Sequence, residues 1–197
     1  MKKNRFSFFA FIVMLFAVLA VAGCVKKGHT DDVRLLYGNE APKAVPSATA
    51  PRIVVVQFED KRTSADLGVR KDGTPFKTSS SVPGWVTQAL ADELIARGAQ
   101  VSVAFSMAQA QLNKPQYIVA GAVENVQLSE KTFTSRLASI RLQVQLHDST
   151  QHLVSSTSSS QLEQPGIPGI KLGEEALSGA LAKAAGNAAD FIMGNLR

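Results

Sequence analysis

Cys24 is the chain's single thiol, and it directly follows Val21-Ala22-Gly23 at the end of a long apolar run. With no second cysteine it has no internal disulfide partner and cannot join a multi-thiolate zinc site, so its chemistry is that of one modifiable sulfur. Further on, Asp60 and Arg62 fall just past an apolar stretch that reads as a strand, a place where open sheets put sites. A carboxylate and a guanidinium two residues apart either grip a ligand together or pair with each other and fix the loop. The loop from 61 to 82 adds Arg70 and Lys71 to Lys61, Arg62 and Lys77, against Asp66 and Asp72. This modest basic excess suits anionic headgroups, phosphates or carboxylates; a solvated loop explains it equally well. Asp60, Arg62, Arg70 and Lys71 are the candidate binding residues.

His147 and His152 flank a four-residue turn beside Asp148. If the flanking strands pair in that register, the two imidazoles stand opposite each other. Imidazole nitrogens accept transition metals, but two ligands on one hairpin lack the outer hydrogen bonds that hold a metal, so no metal and no cofactor is expected. Ser155-Ser156-Thr157-Ser158-Ser159-Ser160 carries hydroxyls without a G-x-S-x-G elbow and reads as the solubilising content of an edge strand. Trp85, after Pro83-Gly84, reads as core at a helix entry. No nucleophile with its base emerges, and the chain is expected not to be an enzyme.

The elements that carry these residues begin with a leader. Lys2, Lys3 and Arg5 precede the run Phe6 to Ala22, and no acidic residue occurs before Asp31. A basic start, an apolar stretch and small residues before a cut are the layout of a secretory signal, and a run of about 17 residues is at the short limit for a spanning helix. Val21-Ala22-Gly23-Cys24 resembles the lipobox of bacterial lipoproteins, which implies cleavage before Cys24 and acylation of that residue. Removing Lys2, Lys3 and Arg5 lowers the basic count from 21 to 18 against 16 acidic residues, about +2. The high pI thus gives no support to a nucleic-acid partner, which would need a clustered basic face. Lipoproteins of enteric type that stay in the inner membrane carry aspartate after the cysteine; Val25 stands here, and the resemblance favours the periplasmic face of the outer membrane.

From 24 to 51 no period persists and Gly28, Pro42, Pro46 and Pro51 punctuate the chain, which predicts a flexible tether. Its one apolar island, Arg34-Leu35-Leu36-Tyr37, is a candidate short strand against the domain. The folded part spans 52–197, ordinary for one domain. Arg52 to Phe58 is apolar on both faces, as a central strand is. Val82 to Arg97 reads as a helix from Val86, Ala89, Leu90 and Leu94, entered at Pro83 and stopped at Gly98. Gln100 to Phe105 is the next strand, and the strand-helix-strand order predicts a parallel pair. Ser106 caps a short helix to Asn113. Gln116 to Ser129 is a long strand with Gly121 at a close approach or bulge. Ala138, Ile140, Leu142, Val144 and Leu146 alternate with polar residues, so one face of that strand meets core and the other water. His152 to Leu162 forms the polar edge, Pro165 to Gly169 breaks the pattern, and Glu174 to Leu196 is an amphipathic helix. The expectation is an α+β fold, order β-α-β-α-β-β-β-α, with a mixed sheet and helices packed on one face.

Ile53-Val54-Val55-Val56 with Phe58-Glu59-Asp60-Lys61-Arg62, then Leu67-Gly68, Lys71-Asp72-Gly73 and the helix ending Arg97-Gly98, resembles the YajG-type outer-membrane lipoproteins over 52–196. The broader layout is similar to small periplasmic lipoprotein domains of envelope assembly and to auxiliary lipoproteins of lipid transport. The resemblance implies no catalytic site. Two functions are expected: a non-enzymatic interaction module held to the membrane by its N-terminal lipid, whose sheet edge or 61–82 loop contacts an envelope protein, or a transport accessory that binds an acyl chain or phospholipid. Oligomeric state is open.

Overall fold

The structure is a computed structural model that describes residues 31–38, 47, 49–112, 114–148, 153–167 and 169–196. Val21, Ala22, Gly23, Cys24 and His152 lie outside the described residues. The strands are β1 (Asp31–Asp32), β2 (Arg52–Val56), β3 (Glu59–Asp60), β4 (Gly68–Val69), β5 (Pro75–Lys77), β6 (Gln100–Ala104), β7 (Tyr117–Thr132), β8 (Ser135–Asp148) and β9 (Leu153–Pro165); the helices are α1 (Val82–Ala96), α2 (Met107–Leu112) and α3 (Ile170–Gly194). β6-β2-β7-β8-β9 form the main sheet, and β3 continues the line of β2 along β7. A small second sheet, β1-β5-β4, lies against the upper half of β7.

The β-α-β-α-β-β-β-α order read from the sequence is that of β2, β6 to β9 and the three helices, and the short strands β1, β3, β4 and β5 are additions to it. β2 pairs in parallel with both β6 and β7, and Ile53 to Val56 are buried on both faces. Apolar residues on alternate sides explain this, since β2 is covered twice. Ile53 and Val55 face the core beneath α1 and α3, whereas Val54 and Val56 meet Ala104 and Ala110 under α2. The two long helices therefore share one face, and the short helix covers the other.

Helix α1 starts as its sequence dictates: the Gly84 backbone N–H donates to Ser81 Oγ at 3.2 Å, and Gly98 takes φ +88° just past the end. Thr87 Oγ1 donates to Pro83 O at 2.7 Å and accepts from the Phe58 N–H at 3.0 Å, tying α1 to the end of β2. Gly121 is the predicted close approach: a Cβ there would lie 2.3 Å from Gln143 O and 2.5 Å from Phe58 Cε1. A register shift follows between Val123 and Asn125.

Helix α3 begins at Ile170, a turn earlier than expected, directly after the break. It lies close on β8 and β9 because its inner stripe is small: Ala176, Ala180, Ala184 and Ala188 are buried. The inward serines of β9 use that closeness. Ser158 Oγ donates to Ala184 O at 2.7 Å and Ser160 Oγ to Ala180 O at 2.6 Å, so the Ser/Thr run holds the helix as well as solubilising the edge.

The stretch read as tether includes a docked strap. Val33 is buried, Leu35 and Tyr37 pack on the core, and the Arg34 N–H donates to Glu174 Oε1 at 3.1 Å. The strand lies at Asp31–Asp32, just before the apolar island, paired with Phe76 and Lys77. Among the described residues no helix is long and apolar enough to cross a membrane.

Candidate functional site

Asp60 and Arg62 are brought together, chiefly onto each other. Arg62 Nε donates to Asp60 Oδ1 at 2.9 Å and Nη2 to Oδ2 at 2.8 Å, a two-pronged pair. Beside it lies a groove of about 280 Å³ lined by Thr63, Ser64, Asp66, Gly68, Asn125 and Gln127 together with Arg62. The Arg62 guanidinium, by hydrogen bond and charge, holds the Asp60 carboxyl below the usual carboxylate range. A depressed folded-state value stabilises the fold above the ordinary carboxylate range, and this contribution is lost as pH falls through the lowered value. Asp60 is 38% exposed, so water screens the pair. Asp60→Asn is expected to cost at most about 1 kcal/mol at neutral pH, and urea midpoints of variant and parent should converge in acid.

Arg70 and Lys71 stand elsewhere. Asp60 pairs with Val123, whereas the Lys71 N–H donates to Glu130 Oε2 at 3.2 Å; those two positions on β7 are about 23 Å apart at the strand rise. The four candidate residues therefore do not converge on one site. Arg70 Nε lies 3.1 Å from Asp31 Oδ2 and its guanidinium 5.8 Å from the Phe76 ring centre, so it clamps the strap to β5. Asp72 accepts the Thr74 N–H at 2.9 Å within the turn, which holds its carboxyl below the usual range.

Two charged clusters escape sequence reading. Arg136 is 1% exposed, with Nη1 2.9 Å from Glu130 Oε1 directly across the β7–β8 pair. The alternation of β8, extended back from Ala138, puts Arg136 on the core face, and that was the available signal. In the second cluster, Tyr37 OH donates to Glu93 Oε1 at 2.6 Å, Arg97 pairs with Glu93, and Arg97 Nε reaches Asp190 Oδ1 at 2.8 Å. Burial first, then the hydrogen bond to Glu93, pushes the Tyr37 hydroxyl far above its ordinary value. Strap, α1 and α3 are joined at this point.

The histidine expectation is corrected by the register: Leu153, not His152, stands opposite His147. His147, Asp148, Lys114, Met107, Ile118 and Leu153 line a broad groove of about 790 Å³. Trp85 is buried in the core. Among the described residues no group of His, Cys, Asp and Glu is placed to hold a metal ion. Among the described strands β9, by contrast, pairs with β8 alone, and its 13 residues form one edge of the main sheet.

No protein-family model matches the chain, and no curated protein matches it at a significant level. Solved structures do match. A Xanthomonas campestris protein of the family designated DUF330 is similar at 14% identity over 83% of this chain and 92% of its own, with a TM-score of 0.54. The fold is shared with that structure. An uncharacterised protein is similar at 12% identity over 83% of this chain and 99% of its own, with a TM-score of 0.56. The lipoprotein GNA1162 from Neisseria meningitidis is similar more loosely, at 14% identity over 74% of this chain and 99% of its own, with a TM-score of 0.41.

Proposed function

We propose that the chain is a lipid-anchored lipoprotein of the bacterial cell envelope, of YajG type, whose domain acts without catalysis as an interaction module on the periplasmic face of the outer membrane. The sequence Val21-Ala22-Gly23-Cys24 supports the anchor. The observation that carries the module is β9: an open edge 13 residues long over a helix–sheet core whose alanines and leucines are fully buried. An exposed edge offers a row of backbone donors and acceptors to an extended partner segment, the mode of strand addition. Ser155, Thr157 and Ser159 keep the edge soluble until it is used.

A photo-crosslinking residue placed in turn at Ser155, Thr157 and Ser159 of the chain in its native host is expected to trap one envelope protein at all three positions. The same residue at exposed Gln88 of α1 should trap none. Equal trapping at Gln88, or none along β9, would sink the edge as the contact. The groove beside His147 favours a second reading, an auxiliary lipoprotein of an envelope lipid-transport system, because Met107, Ile118 and Leu153 offer apolar wall next to Lys114. Phospholipid recovered in equimolar amount from the purified protein would favour that reading over the module.

A further inference from the structure

The docked strap fixes which end of the domain lies nearest Cys24. Leu67 meets Leu128 and Lys71 meets Glu130, so β4 runs in the same sense as β7. β5 is antiparallel to β4, and β1 is parallel to β5. β1 therefore runs from the end that carries the β7–β8 turn towards Tyr37 and Glu93, so Asp31, the described residue nearest Cys24 in sequence, is its residue on the turn side. Only seven residue steps separate Cys24 from Asp31, a reach of at most about 25 Å. Asp31 lies level with Leu128 through Phe76 and Gly68, about 35 Å along β7 from Tyr117 at the strand rise. A chain held at Cys24 cannot stand its opposite end, with exposed Leu112, on the same bilayer.

Two strongly exposed apolar side chains stand at the turn end, whereas Phe105 and Leu112, 80% and 81% exposed, stand away from it. Phe133, in the β7–β8 turn, is 77% exposed and Ile167, just after β9, is 89% exposed. The Gly166 N–H donates to Thr134 O at 2.9 Å, so the two side chains rise from turns bonded to each other. Around them Lys71 and Lys171 are offset by Asp72 and Glu175, and Lys131 by Glu163. Exposed apolar tips within a polar rim suit the boundary between headgroups and acyl chains, and the near balance of charge makes the contact apolar rather than electrostatic.

We propose that this end is a bilayer-docking surface, with Phe133 and Ile167 entering the leaflet that holds the lipid on Cys24. The inference rests on the anchor proposed above. Once the thiol of Cys24 is acylated, Phe133→Cys supplies the one free thiol for an environment-sensitive nitrobenzoxadiazole dye; Leu112→Cys supplies it at the far end. The acylated full-length mature protein is reconstituted in vesicles of phosphatidylethanolamine and phosphatidylglycerol, with and without doxyl-labelled lipid. The expected result is a blue-shifted dye at 133 that loses most of its emission to doxyl lipid, and a dye at 112 that loses little, with little change on adding salt. Acylated protein whose 133 dye stays in water, or is shielded without doxyl quenching as in a contact between proteins, overturns the orientation alone. Quenching at 112 as strong as at 133 does the same. A preparation whose mass shows no acyl group overturns the anchor and the orientation built on it together.

Discussion

Secreted behind a leader that is cut without lipid transfer, and carrying Cys24→Ser, the chain is expected in the soluble periplasmic fraction, while the unaltered chain stays with membranes through alkaline extraction. Replacing Cys24 with the natural leader in place is a poorer test. The uncut run Phe6 to Ala22 is itself apolar enough to hold the chain in a bilayer. The size of the effect follows from chain number: a single myristoyl group binds membranes with only about 10⁴ M⁻¹, reversibly, whereas two or more acyl chains at about 0.8 kcal/mol per buried CH₂ hold firmly. The intact mass of the native protein should exceed that of residues 24–197 by a diacylglyceryl group and a further acyl chain. A native protein with the leader attached and the sulfur unmodified would falsify the anchor.

Elements whose signal is local are the ones that sequence alone locates. β2 is apolar on both faces because sheet neighbours and two helix layers cover it, and that leaves a run of β-branched residues with no alternation to misread. Pro83 and Gly98 mark α1 because proline fixes its own φ and glycine takes the positive φ of the helix stop at little cost. Elements made by distant contacts are invisible at this level. β1 and β4 are two residues long and exist only through their pairing with β5. The side of the sheet covered by α2 depends on which valines of β2 meet Ala104 and Ala110, which no period within α2 can say. The register of the β8–β9 hairpin places Leu153 opposite His147, and symmetry about the four-residue turn is a poor guide to it. The candidate loop failed as a single site for a related reason. Asp60 with Arg62 and Arg70 with Lys71 are close in sequence, but β4 carries the second pair up along β7 and away from the first.

The charge buried across the β7–β8 pair should matter more to stability than any exposed ion pair in the domain. Arg136 has lost nearly all its water, and its Nη1 is served by Glu130 and, at longer range, by the carbonyls of Ser135 at 3.3 Å and Thr132 at 3.5 Å. Its Nε is buried without a hydrogen-bond partner. Glu130→Ala leaves that cation uncompensated in the interior. The expected loss is about 3 kcal/mol or more, a large share of the 5–15 kcal/mol typical of a domain. Exposed pairs such as Lys131 with Glu163 contribute under about 1 kcal/mol. The double variant Glu130→Leu with Arg136→Met removes both charges while keeping the volume. It should recover most of the loss, since a buried pair replaced by apolar side chains of similar size is often neutral or better. Guanidinium unfolding of parent, both single variants and the double variant closes the cycle. Additive single losses, with no recovery in the double, would show that Arg136 is held by its carbonyls rather than by Glu130. The pair lies under the turn that carries Phe133, so hydrogen exchange of the turn amides in the same variants is expected to quicken where the pair is broken.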